Sequence, residues 1–351
     1  TFPNKPLSSL MDNVMDDAVD NSNDYRFNPI MSLKNEYRKN YINNLQLNGF
    51  VEYEFIKGLK LKVSGGYTYD ARKNDQFNNS KTRYGGPTST DKVNAQVVRN
   101  ERLTWLNENT LTYQTNIKKK HFFNTLVGIT FQNSDYEYYS FKTIHIPNES
   151  LGMAGMNEGQ ASTTNSLKSS WSMMSYLARF NYNYKSKYYA TASFRADGSS
   201  KFSKKNRYGY FPSGSLAWNF MEEEFMKPMT SVLSNGKLRV SFGQTGNSNI
   251  GNRAISYYQT GNNNEFGGTE SIGVYLSQMG NPDLKWETTT EWNVGLDLGF
   301  FNNRLNVTAE YFRKVVSDLL AERSLLTFNE ADKIAANIGK TQSQGFELTI
   351  N

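Results

Sequence analysis

Residues 284 to 300 read Leu284-Lys-Trp-Glu-Thr-Thr-Thr-Glu-Trp-Asn-Val-Gly-Leu-Asp-Leu-Gly-Phe300, and the run continues through Phe301, Asn302, Asn303 and Arg304 to Leu305-Asn-Val-Thr-Ala-Glu-Tyr-Phe312. Even positions carry Trp286, Trp292, Val294, Leu296, Leu298 and Phe300. The odd positions between them carry Glu287, Glu291, Asn293, Asp297 and Gly299. Beyond Asn302-Asn303, Leu305, Val307, Ala309 and Tyr311 alternate with Asn306, Thr308 and Glu310. Two-residue alternation on both sides of a short turn is the pattern of a β-hairpin with one oily and one wet face. The runs are long. A soluble sandwich uses strands of about 5 or 6 residues, whereas a transmembrane barrel needs tilted strands of about 9–11 or more.

Composition bounds the classes. The 351 residues are 37% hydrophobic, with a mean hydropathy of −0.66. No run of 18 apolar residues exists to cross a membrane as a helix. A β-barrel escapes that test, because half its strand residues face water. Aromatic content is high, with 22 Tyr, 22 Phe and 5 Trp. Aromatic girdles at two membrane interfaces explain it, as does a carbohydrate-binding surface. The absence of cysteine excludes disulfides, thiol chemistry and Cys-ligated metals. The net charge of +6 falls partly on Lys118, Lys119, Lys120, Lys185 and Lys187 in turns, so it reads as solvated turns and not as a nucleic-acid surface.

The same phase recurs along the chain. Leu45, Leu47, Gly49, Val51, Tyr53 and Phe55 share a face, and after Lys57-Gly58 so do Leu59, Leu61, Val63, Gly65, Tyr67 and Tyr69. A polar loop is expected to about residue 100. Trp105, Leu111, Tyr113 and Ile117 then turn at Lys118–His121 into Phe123, Val127, Ile129 and Phe131. A loop is expected over 133–170. Tyr176, Ala178, Phe180, Tyr182 and Tyr184 pair across Lys185–Lys187 with Tyr188, Ala190, Ala192 and Phe194. Strands are expected at 207–220 and 236–244, with a short helix at Met221–Lys227 whose Glu222, Glu223 and Glu224 suit a helix N-terminus. A loop over 245–282 leads to the opening hairpin. Eleven candidate strands result. Tight turns alternating with long loops match the layout of outer-membrane barrels, and loops of this length are uncommon in compact soluble domains.

Parity sets two registers. Around Gly58 a three-residue loop, Ile56-Lys57-Gly58, is needed, placing Tyr53 opposite Leu61, Glu52 opposite Lys62 and Glu54 opposite Lys60. Around Asn302-Asn303 a two-residue turn pairs Phe300 with Leu305, Leu298 with Val307, Leu296 with Ala309, Val294 with Tyr311 and Glu291 with Lys314. Counting strands, the first and the eleventh run in the same direction. Bacterial single-chain barrels close with even numbers of antiparallel strands, so the runs at 44–56 and 343–351 should not pair with each other.

Catalytic motifs are weak. Asn337-Ile-Gly-Lys-Thr341 ends like a phosphate-binding loop, but the motif needs Gly where Ile334 stands. Gly243-Gln-Thr-Gly-Asn247 lacks the Lys and reads as a loop tip. His121 and His145 are the only histidines, too few for a His-based metal site. No nucleophile–base set stands out, so no enzyme activity, cofactor or metal is expected.

Several ordered motifs carry a family resemblance. Phe194-Arg-Ala-Asp-Gly-Ser-Ser-Lys-Phe202 resembles the Arg-x-Asp-Gly-Ser-Ser-[Arg/Lys]-Phe stretch of SusC-like TonB-dependent outer-membrane transporters. Tyr208-Gly-Tyr-Phe-Pro-Ser-Gly-Ser-Leu-Ala-Trp218 and Leu238-Arg-Val-Ser-Phe-Gly-Gln-Thr-Gly-Asn247 resemble further motifs of that family. Asn281-Pro-Asp-Leu-Lys-Trp-Glu-Thr-Thr288, Asp318-Leu-Leu320, Asn337-Ile-Gly339 and Gly345-Phe-Glu-Leu348 continue the order. The likeness is strong from about 170 to 351 and looser from about 30 to 140.

The resemblance implies an all-β, antiparallel, up-and-down transmembrane barrel over residues 1–351, present as roughly half of a 22-stranded one, with the family's plug domain and closing strands expected to be absent. It implies import of a glycan or peptide, a SusD-like surface lipoprotein, energy from a TonB complex reached through the plug, and outer-membrane lipid around the barrel. On this reading Glu52, Glu54, Arg179, Arg195, Arg239, Glu291, Asp297 and Glu310 face the lumen. Phe77, Tyr84, Tyr138, Tyr139, Tyr257, Tyr258 and Phe266 are the loop aromatics expected to stack on substrate. Two other classes fit part of the pattern. A soluble β-rich carbohydrate-binding module explains the aromatics but not the uniform oily face, and a β-rich glycosidase requires carboxylates paired across a cleft.

Overall fold

The computed structural model describes residues 33–261, 264–266, 269–325 and 333–351. Strands dominate. In chain order they are β1 (Glu36–Ile56), β2 (Leu59–Asn78), β3 (Asn94–Ile117), β4 (His121–Ile144), β5 (Gln160–Tyr184), β6 (Tyr188–Ser199), β7 (Tyr208–Asn219), β8 (Leu233–Asn247), β9 (Tyr257–Thr260), β10 (Asn264–Phe266), β11 (Thr269–Ser271), β12 (Val274–Gln278), β13 (Glu287–Phe300), β14 (Leu305–Ser317), β15 (Leu320–Ser324), β16 (Lys333–Asn337) and β17 (Lys340–Ile350). Eleven of them form one sheet in the order β1-β2-β3-β4-β5-β6-β7-β8-β13-β14-β17. These are the eleven strands read from the alternation. The sheet is open. β1 and β17 are its two edges and do not pair with each other.

Two compact units divide the chain. One comprises Thr1–Leu47, Gly66–Trp105 and Ser134–Ser170; the other comprises Asn48–Gly65, Leu106–Asn133 and Trp171–Asn351.

In the second unit the register sorts side chains by face. Tyr176, Ala178, Phe180, Tyr182 and Tyr184 of β5 stand opposite Ala196, Phe194, Ala192, Ala190 and Tyr188 of β6. Ala190 meets Leu216 and Tyr188 meets Trp218 on β7, which meet Val240 and Leu238 on β8. The band continues through Trp292, Val294 and Leu296 of β13, then Tyr311, Ala309 and Val307 of β14, and ends on Phe346, Leu348 and Ile350 of β17. Leu216, Trp292 and Phe346 expose 65%, 54% and 68% of their surface. A continuous apolar face left open to this degree needs a non-aqueous neighbour. The facing sheet of a sandwich would bury it; lipid satisfies it without one.

Aromatic rings crowd the tight-turn end of that face. The Phe123 and Tyr182 rings lie 4.9 Å apart, and His121 Nδ1 is 2.8 Å from the Tyr182 hydroxyl. Glu223 gathers the Tyr188 hydroxyl at 2.5 Å, the Lys187 ammonium at 3.2 Å and the Trp218 indole N–H at 3.3 Å. From Tyr184 to Tyr176 the strand rises roughly 26 Å, at about 3.3 Å per residue, close to the height of a lipid-facing band.

The opening hairpin has the expected register throughout, from Phe300–Leu305 to Glu291–Lys314. Asn302 and Asn303 take φ of 58° and 60°, and the Arg304 N–H donates to the Phe301 carbonyl at 3.3 Å. The turn is wider than two residues, however. Phe301 also takes a positive φ of 53°, and its N–H donates to the Val232 carbonyl, so ladder pairing stops at Phe300. At Gly58, φ is 86°, the left-handed conformation that the parity demanded. Glu52 shares the face of Lys60, to which it is ion-paired at 3.0 Å. Two details differ from expectation. Ile56 still belongs to β1, so the connection is Lys57-Gly58 and not three residues. Glu52 pairs with Lys60 instead of Lys62, while Glu54 accepts the Gly58 N–H at 2.7 Å.

The strands reach further than the alternation did. β2 continues to Asn78 and β3 begins at Asn94, so the loop expected to residue 100 is only 79–93. Likewise β4 runs to Ile144 and β5 starts at Gln160, which reduces the loop expected over 133–170 to 145–159. The helix expected at Met221–Lys227 is instead two 3-10 turns, Phe220–Glu222 and Glu224–Met229, split at Glu223, whose ψ of 148° is extended. The 245–282 connection carries hairpins, β9 with β12 and β10 with β11.

Candidate functional site

The polar face of the second unit is organised by Arg239 on β8. Its Nε donates to Asp297 Oδ2 at 2.7 Å, and its Nη2 to Asp297 Oδ1 at 3.0 Å and Glu310 Oε1 at 2.6 Å. The Thr308 hydroxyl donates to Asp297 Oδ1 at 3.2 Å. Register puts Gly295 directly between Arg239 and Glu310. A Cβ there would lie 3.0 Å from Arg239 Nη2, so the glycine opens the slot through which the guanidinium crosses β13. Bidentate guanidinium–carboxylate pairing fixes geometry as well as charge.

A second polar group lies at the long-connection end of the same unit. Arg195 Nε donates to both oxygens of Asp197, at 2.7 and 2.9 Å, and Arg195 Nη2 donates to Ser175 Oγ at 3.2 Å. Asp197 is buried. These two lie in the wall of a cavity of about 510 Å³, with Lys201, Phe211, Trp286 and the Gln244–Asn249 segment. The wall is stiffened from behind by a small core of Phe202, Phe211, Leu284, Trp286 and Ala335. The Trp286 ring sits 5.3 Å from Phe202 and 5.5 Å from Phe211, and its indole N–H donates to the Arg207 carbonyl at 3.0 Å. Gly246 lies so close to Phe211 that a Cβ would come within 2.0 Å of the ring. Burial pushes the Lys201 ammonium below its ordinary pKa, and its Nζ lies 5.0 Å from the Trp171 ring centre.

The family-like motifs, with Ser203 and Asn206 between two of them, are fasteners at this end. Ser203 Oγ donates to the Pro282 carbonyl at 2.6 Å and Asn206 Nδ2 to the Asp283 carbonyl at 2.9 Å. Asn281 Nδ2 donates to the Ala335 carbonyl, and Asn337 Nδ2 to the carbonyls of Lys285 and Asp318, each at 2.8 Å. These side chains tie exposed and part-buried backbone carbonyls of separate connections to one another.

Of the charged residues singled out in the sequence, Arg239, Asp297 and Glu310 form one network, and Arg195 lines the cavity. Arg179 stands opposite Ser193, and Glu291 stands opposite Lys314. Glu52 and Glu54 are engaged at the Gly58 turn. The aromatics divide differently. Phe77 is not a loop residue: it lies near the end of β2 and is buried with Ala95 and Ile146. Tyr138 and Tyr139 lie in β4, not in a loop, and as consecutive strand residues they point to opposite faces. The Tyr139 hydroxyl donates to Glu137 at 3.3 Å. Tyr257 and Tyr258 are likewise consecutive, in β9, and both are exposed. Tyr84 is in a true loop and 53% exposed. The side chain of Phe266 lies outside the described residues. Asp197, Phe211 and Trp286 were missed as wall residues. Asp197 and Phe211 were marked only as members of the family-like motifs. Trp286, read as the start of the hairpin's apolar face, instead precedes β13 and is buried in the core behind the cavity.

Chemically the arrangement binds and orients. The carboxylates are held by guanidinium and ammonium groups, and among the described residues no three His, Asp or Glu groups gather as a metal site.

Comparison with known proteins agrees with this geometry. The family model described as TonB dependent receptor-like, beta-barrel, matches residues 3–351. TonB-dependent receptor P39 of Formosa agariphila is 32% identical over 327 residues, covering 93% of this chain and 31% of the relative. TonB-dependent receptor SusC of Bacteroides thetaiotaomicron is 29% identical over 355 residues, covering 99% of this chain and 32% of the relative. The fold is that of the RagAB peptide transporter structure, with a TM-score of 0.83 at 24% identity over 92% of this chain and 35% of that one. The chain thus spans about a third of the length of the relatives it matches. With its open apolar face, charged opposite face and motif-fastened connections, the chain belongs to the TonB-dependent receptor family of outer-membrane transporters, as a SusC-like portion of the β-barrel domain.

Proposed function

We propose that the complete protein imports an oligomeric nutrient, a glycan or a peptide, across the outer membrane. TonB-derived energy drives it, and a SusD-like surface lipoprotein covers the long-connection end. Residues 1–351 act as one stretch of the barrel domain, whose apolar face meets lipid and whose polar face lines the passage. The observation that carries the reading is the cavity of about 510 Å³ walled by Arg195, Asp197, Lys201, Phe211 and Trp286 on the polar face. It combines aromatic surface with fixed donors and acceptors, the mix that small-molecule sites use. Long connections of outer-membrane barrels face the cell exterior, which supports substrate entry at this cavity. Tyr257 and Tyr258 of β9, in the same unit, have exposed rings available for stacking on a sugar or peptide; Tyr84 and Tyr138 would serve the same role within the first unit.

The experiment is deletion of the complete gene, followed by growth on single glycans and on oligopeptides, with affinity purification of the tagged protein to look for a co-purifying lipoprotein. Loss of growth on one substrate class, together with a bound lipoprotein, is the expected result. Undiminished growth on every glycan and peptide would sink the import reading.

A further inference from the structure

In the first unit, a separate cavity of about 330 Å³ is lined by Asp70 and Arg72 of β2, Asn100, Glu101 and Arg102 of β3, and Tyr136 of β4. Five of the six fall on even positions, the face opposite Tyr67, Trp105 and Tyr139. None of the motifs that carry the family resemblance contributes to it.

The wall is unevenly satisfied. Glu101 is taken by Arg99 at 2.6 Å. Asp70 accepts from the Asn44 amide, and the Tyr136 hydroxyl donates to Asn100 Oδ1 at 3.1 Å. The Arg102 guanidinium lies over the Tyr136 ring at 5.3 Å. Among the described residues, neither Arg72 nor Arg102 has a carboxylate within ion-pair distance. Every other arginine discussed on the polar strands except Arg179 is neutralised, as Arg195 and Arg239 are. Two open guanidiniums facing one cavity leave an unmet demand for an anion. A planar fork of donors is matched best by a carboxylate.

The rest of the wall narrows the class. Apart from the Tyr136 ring, every lining group is polar, so apolar peptide side chains would find no surface there. Asp70, Glu101 and Asn100 retain acceptor capacity suited to hydroxyl donors. A ligand with one carboxylate and several hydroxyls satisfies both halves, and the volume is at the small end for ligand sites, room for one or two sugar rings. We propose that this cavity is a subsite for a uronic-acid unit of the transported oligosaccharide, its carboxylate held by Arg72 and Arg102 and its hydroxyls by Asp70 and Asn100. The assignment rests on the import reading above and selects an acidic glycan within it.

The test uses the complete transporter in lipid nanodiscs. Calorimetry compares glucuronate- and galacturonate-containing tetrasaccharides with their carboxyl-reduced neutral twins and with a tetrapeptide. The wild type should favour at least one acidic sugar over its neutral twin by about tenfold or more, as expected for charge-assisted bonds. That ratio should fall towards one in Arg72→Gln/Arg102→Gln, while Arg102→Lys keeps part of it. Retention of the full preference by the double variant overturns the site, as does preferred binding of the tetrapeptide. Equal binding of acidic and neutral sugars overturns the subsite alone and leaves glycan import standing. Binding of none of the probes overturns both.

Discussion

Arg239→Gln removes the guanidinium that bonds the carboxylates of two strands, leaving Lys237, which stands opposite Asp297, as the nearby cation. In the native sheet Arg239 makes three charge-assisted bonds to Asp297 and Glu310, and Glu310 also stands directly opposite Glu347 on β17. The variant therefore leaves three carboxylates near one another on the polar face. Charged hydrogen bonds contribute about 1.5–3 kcal/mol each when well shielded. Here the side chains of Arg239, Asp297 and Glu310 are 35%, 24% and 26% exposed, so water screens them and about 1 kcal/mol for each carboxylate partner is the better figure. Repulsion that Lys237 relieves only in part adds at most about 1 kcal/mol. The expected cost is about 2–3 kcal/mol. The assay is urea unfolding of the complete barrel in lipid vesicles, read by heat-modifiable gel mobility, in a double-mutant cycle with Asp297→Asn. A coupling of about 1–2 kcal/mol between the two sites is expected. Since a partly buried pair can be replaced without loss by apolar residues of similar volume, Arg239→Met/Asp297→Leu should recover much of the stability if Glu310→Gln is added. A cost below about 0.5 kcal/mol for Arg239→Gln, or no coupling, would refute the network as a fastener of β8, β13 and β14.

The two faces of β13 should respond unequally. Leu296→Arg, on the apolar face, should cost about 2–4 kcal/mol in vesicles, against about 1 kcal/mol for Asp297→Asn; equal costs would contradict a lipid-facing band. Gly246→Ala pushes a methyl into the buried Phe211 ring and should cost about 1–3 kcal/mol by overpacking, measured by the same unfolding assay. Adding Phe211→Leu should relieve part of that loss. Glu223 is held below the usual carboxylate range by hydrogen bonds from Tyr188 and Lys187. A depressed folded pKa means that its stabilisation is present above the unfolded value of about 4.3 and is lost as pH falls through the folded one. The Tm gap between wild type and Glu223→Gln should therefore be full at pH 7 and close on acidification; a gap constant down to pH 3 would show that the charge of Glu223 is irrelevant.

What the sequence could disclose follows from which faces were wet. Between Trp292 and Tyr311 one face is apolar and the other polar, so alternation fixed register residue by residue, and the observed pairing agrees at every position from Glu291–Lys314 to Phe300–Leu305. The far parts of β2 to β5 are strand without alternation. Asp70 to Gln76 and Gln160 to Ser166 are polar at almost every position, so neither face differed from the other. Their strand character comes from backbone pairing with neighbours distant in sequence, which a local pattern does not record. That is why Tyr138 and Tyr139 read as loop aromatics and why Phe77, flanked by Gln76 and Asn78, gave no sign of burial.

The site divides along the same line. Arg239, Asp297 and Glu310 were each legible as polar-face residues from parity alone, but not as one cluster, because their contact requires three strands in register and a missing side chain at Gly295. The cavity wall was still less accessible. Trp286 is bound to the carbonyl of Arg207, 79 positions away, and Asn337 reaches Lys285 across 52. Motifs such as Asn281-Pro-Asp-Leu-Lys-Trp286 look like recognition elements because they are polar, ordered and outside the alternating strands. Several of their side chains are spent instead on holding the backbone of one connection to another. On the uronate proposal, Arg72 and Arg102 add substrate discrimination from positions that carry no motif. Exchange of residues 281–285 for those of a relative, with Trp286 kept, should therefore change stability more than substrate preference, whereas exchange of residues 70–72 and 100–102 should do the reverse.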